Sequence, residues 1–358
     1  MALASTRPPR HLPRVTEPVR PSVRLGTPGE MALALPMLLG YQPTESLVVS
    51  TLFGPRFAVG LTLRFDLDDL EPLDAAVDEL CTRLEFADAD AAFLAVYTQR
   101  RFSGGRPPYA EVIDALVDAS SVPFRDALLI RRGKWWSYLC ADRSCCPKDG
   151  TRFARQSTEL SRLQASLVMS GSAVLADRSA LVDSVGIDPK ADSDAQRELV
   201  RAALSDLAGT APLARRAELV ALVESLVIHL ADPRAEIDGG DAARVAALLR
   251  DVGARDDLLL QVVSPRRREE VLRVLRALVR RVPAPYDAPV ATVLAWFAYA
   301  AGDGTLANIA LDRALRTDPD YSLARLIETS LDRQLPPSVL EEVVRGAAHD
   351  IDARDAAG

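Results

Sequence analysis

The sequence predicts an α/β N-terminal domain, built as a mixed sheet with helices packed on it, followed by an all-α C-terminal half. Two observations favour this fold class. Between residues 23 and 153, short apolar runs rich in β-branched residues alternate with segments of helical periodicity. After residue 153 the helical periodicity continues with almost no strand pattern. A chain of 358 residues also has the length expected of two domains.

The elements of the α/β domain follow from caps, turns and periodicity. Thr27, Pro28 and Glu30 form a capping-box pattern, which predicts a helix that begins at Pro28 and ends between residues 36 and 40. Apolar runs separated by Gly and Pro predict hairpins. The remaining elements are strands at 46–53, 57–65, 91–97, 124–130 and 134–140, with helices within 66–90 and at 109–120.

The second half of the chain reads as a series of helices with short connections. The periodic segments are 157–170, 193–207, 211–231, 241–252, 265–282, 288–301, 305–316 and 320–333. The last three resemble a tetratricopeptide-type unit, with Trp296 and Tyr299 at packing positions and small residues where two helices would meet. About one and a half units are present, whereas a solenoid needs about three. An ordinary helical hairpin with similar packing therefore remains an alternative.

These patterns divide the chain into five parts. They are a flexible arm at 1–22, the α/β domain at 23–153, a helical region at 154–285, tetratricopeptide-like helices at 286–336 and a C-terminal tail at 337–358.

Charge and hydropathy exclude some partners and favour a compartment. The net charge of −7 makes nucleic acid an unexpected partner. No apolar run approaches the ~18 residues of a membrane span, and the N-terminus lacks the apolar core of a signal peptide. We therefore expect a cytoplasmic protein that does not bind membranes. Since 40 of the 43 basic residues are arginine, arginine clusters carry less functional weight than usual.

The segment 134–150 is the most informative part of the chain. It holds three of the four cysteines and two of the three tryptophans, which indicates a local role. The candidate functional cluster consists of Trp135, Trp136, Tyr138, Cys140, Cys145, Cys146 and Arg152.

Four interpretations of this cluster are open. A zinc site prefers four ligands from paired elements. Here Cys140 and Cys145 stand beside Cys146 with no local histidine, adjacent cysteines are expected to point apart, and Cys81 is expected to face the core. We therefore expect no metal ligands and no cofactor. A reversible disulfide is the second interpretation, because nearby basic residues could lower a thiol pKa.

The third interpretation is nucleophilic catalysis, which needs an imidazole near the thiol. His11, His229 and His349 are far from the cluster in sequence. Cys146 precedes Arg152 by the spacing of phosphatase-like loops, but without a glycine-rich cradle. The fourth interpretation is structural: one tryptophan packs inward, and the Cys-Cys-Pro sequence forms a buried turn.

A second candidate site is the loop after the first helix, where pockets often form beside α/β sheets. A glycine suits the helix C-cap, and the following polar groups could face a ligand. A capped turn is the alternative. The residues of this candidate pocket loop are Gly40, Tyr41, Gln42, Glu45 and Ser46.

Seven arginines lie within residues 266–281, interleaved with an apolar stripe. They could bind phosphate or an acidic partner, but the stripe favours a helix whose arginines form a solvated face.

Three segments together resemble a known family. They are LPMLLGYQPTESLVV at 35–49, WSYLC at 136–140 with CCP at 145–147 and Gly150, and the blocks LAW, GDG, ALDRAL and DPDY within 294–321. The chain is similar in these segments, from about residue 23 to 336, to the bacterial family called domain of unknown function 4192. The resemblance implies a bacterial setting and no particular activity.

The sequence as a whole favours a non-enzymatic cytoplasmic protein for binding, scaffolding or regulation, with a protein partner expected on the helical half. The alternative is a cysteine-dependent redox sensor or enzyme that uses Cys140, Cys145 and Cys146. Oligomeric state does not follow from the sequence.

Overall fold

A computed structural model describes residues 24–153, 158–169, 174–232, 234–261 and 264–333, with a few single residues between 335 and 346. The predicted arm at 1–22 and most of the predicted tail at 337–358 lie outside the described residues.

The first half of the chain forms a mixed six-stranded sheet, as predicted. Its order is β2-β1-β3-β4-β5-β6, and only the β3–β4 pair is parallel. A parallel pair needs a crossover connection, and a helix supplies it. The strands are β1 Ser46–Phe53, β2 Ala58–Asp66, β3 Ala91–Tyr97, β4 Phe124–Arg131, β5 Lys134–Ser137 and β6 Thr151–Arg152.

Three α-helices and one 3₁₀ turn pack on this sheet. The predicted capping box is confirmed, because Thr27 and Glu30 bond each other's backbone N–H groups, and the first helix ends before Gly40 in the left-handed conformation. The helices are α1 Pro28–Leu39, α2 Leu73–Phe86 and α3 Ala110–Ala119, with the 3₁₀ turn at Leu67–Leu70.

The rest of the described chain is helical. The sequence did not indicate α5, which has only seven residues, or α9, which Asp251 caps just where the predicted helix at 241–252 was expected to end. The helices are α4 Thr158–Met169, α5 Arg178–Ser184, α6 Asp194–Leu207, α7 Pro212–His229, α8 Gly239–Leu248, α9 Val252–Leu260, α10 Pro265–Val279, α11 Ala288–Ala300, α12 Gly304–Thr317 and α13 Ser322–Asp332.

Helix α11 is the centre of the helical half. Every residue from Ala288 to Ala300 is buried, and the indole Nε1 of Trp296 donates to the carbonyl of Leu259 at 3.1 Å. A helix that is apolar on all sides is a core helix. The tetratricopeptide-like character of α11–α13 stays a prediction.

The two faces of the sheet pack against different layers. Val48 and Phe93 belong to one apolar core, which continues into α1 and the helical half. Val49 and Leu94 face the opposite way, into a second core with α2 and α3. This division arises because successive side chains of a strand point to opposite faces of the sheet. The sheet therefore lies between a layer of two helices and a layer shared with the helical half.

The arginines of α10 divide into two groups: Arg266, with 91% of its side chain exposed, lies on the solvated face that the sequence favoured, whereas others connect helices. Arg267 binds Glu224 of α7, and Arg276 binds Asp303 at the start of α12. Among the described residues, no helix combines the length and apolar character that crossing a membrane would require.

Candidate functional site

The candidate site is built on the connection between β5 and β6, residues 138–150, here called the cysteine strap. Its start is fixed by Ser137, whose hydroxyl accepts hydrogen bonds from the N–H groups of Leu139 and Cys140 at 3.1 and 3.0 Å. The same hydroxyl donates to Asp126 of β4 at 2.7 Å. Burial raises the pKa of Asp126, and the bond from Ser137 opposes that shift. The backbone of the first cysteine is thus tied to the sheet.

A tight turn then reverses the strap. The carbonyl of Asp142 accepts from the N–H of Cys146 at 2.7 Å. The carboxylate of Asp142 accepts from both the N–H and the hydroxyl of Ser144, each at 2.8 Å, and these bonds lower its pKa. The reversal brings Cys145 and Cys146 back towards Cys140.

The turn places three thiols in one group. The sulfur atoms of Cys140, Cys145 and Cys146 all lie within 4.8 Å of one another, and the last two are 3.9 Å apart. The expectation that adjacent cysteines point apart is therefore wrong. That expectation was made for a strand or a loop in general, and it did not foresee the tight turn at whose end these two residues lie. Side chains of this type and number can hold a soft metal ion.

The three thiols differ in their exposure. Cys146 is buried with 7% of its surface exposed, Cys140 is half-buried against the same core, and Cys145 is exposed. Burial, and then the neighbouring thiols, raise the pKa of Cys146 to about 12. Cys81 packs half-buried against the opposite core, so it does not belong to this group.

Trp135 confirms the prediction that one tryptophan packs inward. It is 9% exposed and belongs to the core that the sheet shares with the helical half. A Cβ on Gly29 of α1 would lie 2.9 Å from its indole nitrogen, so the ring and the helix approach closely at this point. The strand that carries the strap is therefore anchored to α1.

Trp136 holds the far end of the strap from the other face of the sheet. Its Nε1 donates to the carbonyl of Lys148 at 3.0 Å, and its ring packs edge-to-face with that of Phe102, with the ring centroids 5.5 Å apart. Gly150, with φ +75°, lies against the ring. The hydroxyl of Tyr138 donates to the carbonyl of Pro108 at 2.7 Å, and burial raises its pKa. These aromatic groups serve to position the strap.

Two nucleophile arrangements suggested by the sequence are not supported by this geometry. Arg152 lies exposed on β6, where it pairs in register with Lys134. A phosphatase-like arginine would lower a thiol pKa, whereas the pKa of Cys146 is raised. His229 is on α7, where its Nε2 lies 3.1 Å from the carbonyl of Glu236. His11 and His349 are outside the described residues.

The first part of the candidate pocket loop connects the two halves of the protein. Gly40 caps α1 with φ +78°, and Tyr41 is buried with 2% exposure. The carbonyl of Gly40 accepts from the N–H of Leu175 at 2.9 Å, and the N–H of Gln42 donates to the carbonyl of Leu175 at 2.9 Å. This pairing links the end of α1 to the helical half through the backbone.

The other polar groups of the loop bond within the chain. The carboxylate of Glu45 accepts from the hydroxyl of Thr98 at 2.7 Å and from the N–H of Gln99 at 2.8 Å. Ser46 is fully buried, and its hydroxyl accepts from Arg64 Nε at 2.8 Å. The arrangement serves to hold the loop against the sheet. Whether a ligand uses these residues stays a prediction.

A cavity of about 430 Å³ lies in the helical half, where sequence patterns had indicated no site. Its wall includes the buried ion pair of Arg313 with Asp287, at 2.8 Å. Arg313 also donates to the carbonyls of Val185 and Val282. In the sequence, the one available indication of this ion pair is that Arg313 lies among the apolar residues of α12. Because its donors already have partners in the chain, the pair serves to join three segments.

Fold and site together define an α/β protein joined to a helical half and carrying a three-thiol strap. The chain belongs to the family described as Domain of unknown function (DUF4192), whose model matches residues 28–338. This match bears out the resemblance in the segments 35–49, 136–150 and 294–321. Comparisons with curated proteins and with solved structures found no match to the chain.

Proposed function

We propose that this protein is a non-enzymatic binding or regulatory protein, and that the cysteine strap is its responsive element. The observation that carries the proposal is the convergence of Cys140, Cys145 and Cys146, whose sulfur atoms lie within 4.8 Å of one another. Three thiols at this spacing can be engaged together by one thiol-directed ligand.

The response would reach the helical half through packing. The side chains of Cys146 and Trp135 belong to the same apolar core as Leu181 and Val185, which lie at and beside α5. Closely packed interiors transmit displacements of side chains. A ligand that draws the three sulfurs together therefore moves a side chain of that shared core.

Phenylarsine oxide tests this proposal because it bonds two neighbouring thiols. Two S–H bonds and the As=O bond are exchanged for two As–S bonds and one water. We expect one equivalent to bind the reduced full-length chain, and hydrogen exchange to slow in α5 as well as in the strap. Cys81→Ser is the matched control and should bind equally. Cys140→Ser/Cys145→Ser leaves one strap thiol, so it should not bind. Failure of the wild type to bind, or an effect confined to the strap, would contradict the proposal.

A reversible disulfide is a second candidate, because the same distances allow two strap thiols to pair. The S–S bond is about 2.05 Å long, so side-chain rotation would be required. Diamide would take two hydrogens from two thiols and leave the third free. Mass spectrometry should then find one disulfide within the strap. Addition of a reductant should restore all three thiols. Oxidation that instead pairs cysteines of different molecules would count against this candidate.

The proposal includes a cytoplasmic location. All four cysteines are free thiols, and the cytoplasm is a compartment in which thiols remain reduced.

The proposal also includes a protein partner on the helical half. Leu213 and Ile228, exposed by 67% and 74% at opposite ends of helix α7, are the apolar side chains of the helical half at which this part can be tested. Cross-linking in cells should give a defined adduct with the wild type that Ile228→Asp loses. An adduct of equal yield with both would place the partner elsewhere.

A further inference from the structure

We propose that the cysteine strap is a binding site for one thiophilic d¹⁰ cation, Zn²⁺ or Cu⁺, held by the thiolates of Cys140, Cys145 and Cys146. This inference rests on the proposed function and names the class of ligand that the same strap would take.

The number of thiols favours a metal ion over a disulfide as the ligand. A disulfide uses two sulfur atoms and leaves the third without a partner, whereas a metal ion can use all three at once. The three sulfur atoms of Cys140, Cys145 and Cys146 are close to one another as a group rather than as one pair with a distant third. Thiolate is the ligand type that selects Zn²⁺ and Cu⁺ among biological cations.

The distances fit coordination with small side-chain movements. A Zn–S bond of about 2.3 Å in tetrahedral geometry places two sulfur atoms about 3.8 Å apart. Cys145 and Cys146 already have their sulfur atoms 3.9 Å apart, and the largest separation in the group is within 4.8 Å. Rotation about side-chain bonds closes the remaining gap, so the backbone of the strap need not move.

The backbone that carries the ligands is fixed before any ion arrives. The N–H of Cys140 is held by Ser137 at 3.0 Å, and the N–H of Cys146 by the carbonyl of Asp142 at 2.7 Å. The thiol of Cys140 also points towards that carbonyl, at 4.0 Å. Ligands that are held in place lose less conformational freedom on binding, which favours affinity.

Exposure indicates where the remaining coordination position lies. Cys146 lies in the core, whereas Cys145 is exposed, so the open side of the group faces solvent. Closed structural zinc sites take four protein ligands, and sites with three keep a position for water or another molecule. Three thiols that bind one Zn²⁺ through three Zn–S bonds release three protons to the solvent, and water fills the fourth position. Such a site suits reversible binding.

The decisive experiment titrates Zn²⁺ into the reduced, chelator-treated full-length chain against a chromophoric competitor. We expect one equivalent to bind the wild type and the control Cys81→Ser. Cys145→Ser changes an exposed residue, so its fold should be retained, and we expect at least a tenfold loss of affinity, since even second-shell changes cost about 10–100-fold. Circular dichroism checks the fold of each variant.

A parallel titration with Cu⁺ separates the two cations. One equivalent of either ion, weakened by Cys145→Ser and unchanged by Cys81→Ser, supports the three-thiolate site and identifies its ion. Binding that Cys145→Ser leaves unchanged would reduce the site to two thiols and overturn the inference. No binding of either ion, together with tight binding of phenylarsine oxide, would overturn this inference while leaving the proposed function standing.

Discussion

Replacing Gly150 by alanine tests whether Trp136 fixes the end of the cysteine strap. Gly150 has φ +75°, a conformation that costs a residue with a Cβ about 1–2 kcal/mol. A Cβ there would also lie 2.3 Å from Cε2 of the indole ring, so the ring must move. Moving it sacrifices the bond from Nε1 to Lys148 and the contact with Phe102, worth about 0.5–1.5 kcal/mol each. Gly150→Ala should therefore cost about 2–5 kcal/mol.

Gly133 is a matched control for this substitution. It has φ +71°, and a Cβ there would meet no atom within 4 Å. Gly133→Ala therefore carries the backbone cost alone, about 1–2 kcal/mol. The difference between the two variants isolates the ring contact and should be about 1–3 kcal/mol.

Urea unfolding followed by far-ultraviolet circular dichroism measures both costs, through the linear dependence of unfolding free energy on denaturant. In a Trp136→Leu background, Gly150→Ala should cost no more than Gly133→Ala does, since the ring that it displaces is absent. Equal costs for Gly150→Ala and Gly133→Ala in the wild-type background would refute the view that the ring holds the strap.

Three further substitutions, with one control, probe the rest of the fold. Arg313→Met leaves the carboxylate of Asp287 buried without its cation and should cost about 3–5 kcal/mol in urea unfolding. The exposed control Arg266→Met should cost less than about 1 kcal/mol. Trp296→Phe loses a buried indole hydrogen bond and should cost about 1–3 kcal/mol, and a stability equal to wild type would contradict its role. Burial raises the folded-state pKa of Asp126, so its charge costs stability at neutral pH and that cost disappears as pH falls through the raised pKa. Relative to Asp126→Asn, the wild type should gain stability over that range, and a relative loss would show the sign to be wrong.

The strands show why much of the fold could be predicted from the sequence. Ser46–Phe53 and Ala91–Tyr97 have the bounds that their apolar runs predicted, because both strands are buried on both faces. The cap of α1 was equally predictable, since Thr27 and Glu30 interact across three residues. By contrast, β5 ends at Ser137 rather than continuing to Cys140. The N–H of Tyr138 still donates to Ala127 of β4, but the hydroxyl of Ser137 accepts from the next two N–H groups, those of Leu139 and Cys140, and the chain leaves the sheet there.

The candidate site was predicted in part. The sequence identified the segment, because unusual residue types cluster within it, and Trp135 packs inward as expected. It could not give the direction of the thiols, which depends on a turn stabilised by Asp142 and Ser144. The prediction that Cys145 and Cys146 point apart, made for a strand or a loop in general, was wrong because it did not foresee this turn.

The sequence by itself determined what local chemistry decides: the α/β-then-helical order, the helix caps, the core strands and the place of the cysteine-rich segment. Only the tertiary structure decided which groups meet. Arg313 binds the carboxylate of Asp287, the N-cap residue of α11, and also the carbonyl of Val185, which is 128 residues away in the chain. Cys146 enters a core that also contains residues of the helical half. Such long-range contacts depend on how whole layers pack against each other. The residues that cover the buried surface of one layer come from distant parts of the chain, and no periodicity or spacing in the sequence identifies them.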